Sequence, residues 1–130
     1  MSGPHSGLVV VVEDDASVRR AVKRLLRLAG LTSVPYGSAE EMLARPEAAS
    51  AACLILDVQL PGLTGFELYE HLMNTGHVSP VIFITAFDGA ESRARAMELG
   101  AADFLLKPFT GRRLVDSVRR VLGTTPAGAT

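Results

Sequence analysis

Five short apolar runs alternate along the chain with stretches whose apolar residues recur at three- and four-residue intervals. The runs cover residues 8–13, 32–36, 52–57, 81–85 and 103–106. Three of them are built on continuous stretches of Val, Ile, Leu and Phe, which suits parallel strands covered on both faces better than half-exposed ones. The stretches between them predict helices. Over 17–29, Val18, Val22, Leu25 and Ala29 share one face, and Gly30 follows as a stop. Ser38 and Glu41 have capping-box spacing before Met42 and Leu43, with Pro46 ending that helix. A third helix over 65–74 buries Phe66, Leu68, Tyr69 and Leu72 in part. The fourth, over 89–99, carries a thin apolar face and should be the least firmly held. Thr110 can cap the last, which packs Leu114, Val118, Val121 and Leu122. Strand and helix in alternation, with short connections, predict a doubly wound α/β sheet with five strands and five helices.

The polar residues fall at the strand ends. Ligands of open α/β sheets bind outside the carboxyl ends of the strands. The first run ends in Glu13 and Asp14, the third in Asp57 and the fourth in Thr85, while Lys107 and Pro108 follow the fifth. Carboxylates gathered at one edge repel one another unless a cation joins them. A hard, oxygen-seeking ion such as Mg²⁺ fits that need. Carboxylate, metal, lysine and hydroxyl together suit phosphoryl transfer, with Asp57 as nucleophile.

Composition narrows the class. The chain has 130 residues, 48% of them hydrophobic and 21% charged, a globular balance for one domain. A formal net charge of −1 gives no bulk attraction to nucleic acid or membrane. No run is long enough to span a bilayer, and the first residues lack a signal-peptide pattern. Cys53, the only cysteine, rules out an internal disulfide, suits a reduced cytoplasmic setting, and reads as a small buried hydrophobe. Segments 1–7 and 123–130 are rich in Gly, Pro, Ser and Thr. They read as a disordered lead and as a flexible tail or linker start, around a domain over 8–122. His5, His71 and His77 show no metal-ligand spacing.

Four stretches, "VVVVEDDASVRR", "LILDVQLPGLTGFEL", "VIFITAFD" and "GAADFLLKPF", occur in the order seen in receiver domains of two-component response regulators. Over 8–122 the chain resembles that CheY-like superfamily, and FixJ- and NtrC-type receivers especially. The resemblance implies strand order 2-1-3-4-5 and makes Asp57 the phosphate acceptor. It implies Mg²⁺ held by Asp14, Asp57 and the main-chain carbonyl of Gln59, with Glu13 acting through water. Thr85, the Ala86 amide and Lys107 would bind the phosphoryl group, and Lys107–Pro108 would be a cis peptide. Thr85 and Phe104 would form the switch that alters the surface of helix 4, strand 5 and helix 5. A histidine kinase or phosphotransfer protein would be the donor. Homodimer formation on phosphorylation and a C-terminal output domain beyond this chain also accord with the resemblance. Such a domain is a phosphoprotein signalling module and not an enzyme, since it catalyses only its own phosphorylation and autodephosphorylation.

Some positions depart from the common pattern. Glu13 stands where Asp is usual, Leu60 where Met is frequent, and Phe104 where Tyr is common. Phe87 is bulky two residues past Thr85, and with Gln59 it is expected to hinder the water that attacks the phosphoryl group. Asp15 is a flanking acid, equally suited to capping the first helix. Phe104 suits ordinary core as well. The basic positions of helix 1, and Arg112, Arg113, Arg119 and Arg120 on helix 5, suit either solvation or docking. The competing function is a receiver-like protein-binding module that works without phosphorylation. A flavodoxin-like cofactor binder would need a Gly/Ser/Thr-rich cradle where this chain has acids. Direct DNA binding is disfavoured by the charge and by the lack of a helix-turn-helix.

Overall fold

Val9, Val10, Val11 and Val12 are all fully buried, so strand β1 (Leu8–Val12) is covered on both faces. A computed structural model describes residues 8–45, 48, 50–77, 79–87 and 89–123. Beyond β1 the chain runs α1 (Ala16–Leu28), β2 (Thr32–Tyr36), α2 (Ala39–Leu43), β3 (Cys53–Asp57), α3 (Gly65–Asn74), β4 (Val81–Thr85), α4 (Ala90–Glu98), β5 (Asp103–Leu106) and α5 (Gly111–Leu122). The five strands form one parallel sheet in the order β2-β1-β3-β4-β5. The segment predicted at 1–7, all but Gly123 of the tail predicted at 123–130, and Pro46 lie outside the described residues.

Alternation along each strand splits the core in two. Val10, Val12, Leu54, Leu56, Val81 and Phe83 meet α2, α3 and α4 through Met42, Leu68, Leu72 and Ala96. Val9, Val11, Ile55, Ile82, Ile84 and Leu105 meet α1 and α5 through Val22, Leu26, Leu114 and Val118. Each such side chain contributes about 1.5–3 kcal/mol on leaving water. Phe83 anchors the first layer, with the Phe66 ring at 4.8 Å and the Tyr69 ring at 6.0 Å, both edge-on. Cys53 is buried in the second layer, with Val9, Val11 and Ile55, and burial pushes its thiol up to about 12.

Several local expectations need correcting. On α1 the fully buried positions are Val22 and Leu26, whereas Val18 and Leu25 are only partly covered. Leu26, outside the expected set, joins Val22 against the sheet, while Ala29 is the half-buried C-cap residue. Ser38 does cap α2, accepting from Glu41 N at 3.1 Å, but Glu41 Oε1 accepts from Gly37 N, so the pair is not reciprocal. The reciprocal capping box lies at α3, where Thr64 and Glu67 each accept the other's backbone N–H. Only Ala96 is buried on α4, as its thin apolar face implied. Gly30 and Gly100 follow α1 and α4 with φ of 81° and 77°, the left-handed stop that glycine adopts without strain.

Candidate functional site

Parallel pairing aligns the strand ends. Val12 is opposite Leu56, Asp57 opposite Ile84, and Thr85 opposite Leu106. The residues at and just after these positions therefore share one edge of the sheet. Glu13, Asp14 and Asp57 meet there, each offering a carboxylate oxygen within 4.8 Å of the others. Asp57 and Glu13 are buried and Asp14 is exposed.

Backbone contacts set this edge. Arg19 on α1 donates to the Glu13 carbonyl at 2.8 Å, and Asp15 N donates to Glu13 Oε2 at 3.0 Å. Asp15 itself caps α1, accepting from Ser17 N and Val18 N. Gly65 opens α3 hard against β3, where an added Cβ would lie 2.3 Å from the Asp57 carbonyl. Only glycine lets the helix start that close to the strand. Gln59 N donates to Asp57 Oδ1 at 3.0 Å.

Lys107 closes the cluster. Its Nζ lies 2.6 Å from Glu13 Oε1 and 3.0 Å from Asp57 Oδ2. The contact with Glu13 Oε1 falls outside ordinary hydrogen-bond angles, so that buried oxygen is held by charge and lacks a directed donor. Burial pushes the Glu13 carboxyl up to about 7; Lys107 pulls it down and Asp57 pushes it further up. Burial alone would depress the Lys107 ammonium, but the negative charge of Glu13 and Asp57 against it outweighs that and raises it. The Lys107–Pro108 peptide is cis.

Thr85 is fully buried beside this group. Its hydroxyl donates to Gln59 Oε1 at 2.9 Å and accepts from Phe87 N at 3.1 Å. The Gln59 side-chain contact carries no sequence pattern. Phe87 is 63% exposed. Phe104 is half-buried, with the Arg93 guanidinium 5.0 Å from its ring centre.

The family model for the response regulator receiver domain matches residues 9–119. The chain belongs to this family. It is a receiver domain of the kind found in two-component response regulators. Nodulation protein W of Bradyrhizobium diazoefficiens is 45% identical over 111 residues, which is 85% of this chain and 49% of that protein. FixJ of Azorhizobium caulinodans is 37% identical over 120 residues, 92% of this chain and 57% of that protein. The receiver thus spans about half the length of these relatives. Among solved structures, a response regulator receiver protein from Burkholderia phymatum superposes with a TM-score of 0.79 at 44% identity, covering 92% of this chain and 98% of that one. The chemotaxis protein CheY4 of Vibrio cholerae gives 0.81 at 28% identity, covering 88% of this receiver and 98% of that chain.

A second polar hub lies elsewhere on the receiver, at the start of β5. Asp103 accepts from Ser117 Oγ at 2.7 Å, Arg120 at 2.7 Å and Arg113 at 3.1 Å. Burial works against its ionisation, but Ser117, the Phe104 amide and Arg113 hold the carboxyl below the usual range. Two of the four α5 arginines are thereby tied to β5, and Arg119 donates to the Ala29 carbonyl. No helix among the described residues is long and apolar enough to cross a membrane.

Proposed function

We propose that Asp57 accepts a phosphoryl group from a histidine kinase or phosphotransfer protein, with Mg²⁺ bound beside it. The observation that carries this reading is the Asp57 carboxylate, buried at a strand end, paired with Lys107 and clustered with Glu13 and Asp14. The donor set fits the ion: it is all oxygen, with three carboxylates, of which Asp14 is open to solvent. Asp14, Asp57 and the Gln59 carbonyl would hold it, and Glu13 would act through water. The undirected Glu13 Oε1 suits a donor water from the ion's hydration shell. When bound, the cation offsets the negative charge that gathers on the phosphoryl oxygens.

The chain's own groups supply the rest. The bond from phosphorus to the donor imidazole nitrogen breaks as a bond to an Asp57 carboxylate oxygen forms. Lys107 leaves its ion pair to neutralise a phosphoryl oxygen, while the Thr85 hydroxyl and the Ala86 N–H donate to the same group. Thr85 and Phe104 then carry the change to the surface of α4, β5 and α5, shifting a two-state equilibrium. The domain would catalyse its own phosphorylation and slow hydrolysis, acting in the cytoplasm. A groove of about 420 Å³ beside Lys107, lined by Val18, Ala21, Leu25, Pro108 and Phe109, offers the donor an apolar seat flanked by the basic side of α1. Dimer formation on phosphorylation, and a C-terminal output domain like the remaining length of the relatives, complete the proposal.

Intact mass after treatment with acetyl phosphate and Mg²⁺ tests it. The expected result is one phosphoryl increment that disappears in Asp57→Asn and without metal. A folded chain that gains no increment would favour a binding module that works without phosphorylation.

A further inference from the structure

The Thr85 hydroxyl has one proton, and it is already in use. That proton goes to Gln59 Oε1 at 2.9 Å, while the oxygen accepts from Phe87 N at 3.1 Å. Thr85 is fully buried, so water offers no alternative acceptor. A threonine hydroxyl donates only once. It cannot serve Gln59 and a phosphoryl oxygen on Asp57 together. Gln59 also touches the acceptor, since its N–H donates to Asp57 Oδ1 at 3.0 Å. One residue thus holds the acceptor carboxylate through its backbone and the switch hydroxyl through its side chain.

We propose that the Gln59 carboxamide is a latch that holds Thr85 in the unphosphorylated arrangement. This rests on the phosphoryl-transfer reading above. Gln59 is a positioning residue: it acts through Thr85. Gln59 is otherwise exposed, so once released its carboxamide is rehydrated. Releasing the latch therefore costs only the net worth of one hydrogen bond, a factor of about five in an equilibrium constant. A side chain of similar length without the acceptor removes that factor and favours the phosphoryl-bound arrangement.

The test is a double-mutant cycle on the full chain, with beryllofluoride and Mg²⁺ as the probe of the acyl-phosphate state. Gln59→Met should bind beryllofluoride about fivefold more tightly than wild type. The same change in a Thr85→Val or Thr85→Ala background should leave affinity unaltered. Equal affinity of Gln59→Met and wild type overturns the latch, as does a gain that persists without the hydroxyl. The amide proton of Phe87, followed by NMR without metal or phosphoryl, gives an independent readout. It should move in Gln59→Met, because the hydroxyl that it donates to is released. If folded wild type binds no beryllofluoride, the phosphoryl reading fails; the latch is then decided by that amide, and an unmoved resonance overturns it.

Discussion

Lys107 follows β5 and Asp57 ends β3, yet the Lys107 ammonium crosses the intervening strand to lie 3.0 Å from Asp57 Oδ2. The same ammonium neutralises Glu13. Lys107→Met would leave two buried carboxylates without a cation. In metal-free urea unfolding it should lose about 3 kcal/mol at slightly alkaline pH, and less in acid, where Glu13 is protonated. Equal losses at both ends of the pH range would show that the lysine acts through packing alone.

Glu13 gives the metal-free receiver a pH dependence of its own. Its carboxyl ordinarily titrates near 4.5 but is pushed up to about 7 here. The folded chain therefore binds this proton more tightly than the unfolded chain. Stability contributed by the neutral form is present in acid and declines as pH rises through that interval, by roughly 3 kcal/mol at most. Glu13→Gln should flatten this slope in unfolding experiments without metal. A slope that survives the substitution would assign it to another group.

Gly65→Ala tests the closeness of α3 to β3. The added methyl would lie 2.3 Å from the Asp57 carbonyl, a backbone atom that cannot turn aside. The expected loss is about 3 kcal/mol or more, at the upper end for overpacking. Denaturant midpoints check this, and a near-neutral result would mean that α3 can pivot at its N-terminus.

Phe87→Ala probes phosphoryl lifetime. If the bulky ring and Gln59 shield the acyl phosphate from water, the variant should lose its phosphoryl group faster, with the same initial increment. Decay followed by mass spectrometry decides it; an unchanged rate excludes shielding by Phe87. Its 63% exposure makes the ring removable without damage to the core.

Asp103→Asn tests the tie between β5 and α5. Its arginine partners are half-exposed, so the loss should be only about 1 kcal/mol. The carboxyl is held below its usual range. Its contribution is thus present above the ordinary carboxylate pKa and fades as pH falls through the depressed one. Thermal melts in acid should show wild type and variant converging.

Much of this was legible along the chain. The strand ends could be read because buried parallel strands leave continuous apolar runs, and Glu13, Asp57, Thr85 and Lys107 stand where those runs stop. The buried face of α1 was less accessible: Leu25 and Leu26 are equally apolar, and only packing against Val9 and Val11 chose Leu26. Asp103 looked like a strand's first residue, because its partners lie up to 17 positions away. The bond between Gln59 and Thr85 spans 26 positions, and no periodicity encodes a pairing between a loop residue and the end of another strand.

Helix α4 is anchored by one small buried side chain, Ala96, and its Met97 is 79% exposed. Folding thus places few demands on the outward positions of this helix. Those positions can drift, after gene duplication for instance, while the carboxylates at the sheet edge stay as they are. A lineage can in this way change who reads the signal without altering how it is received.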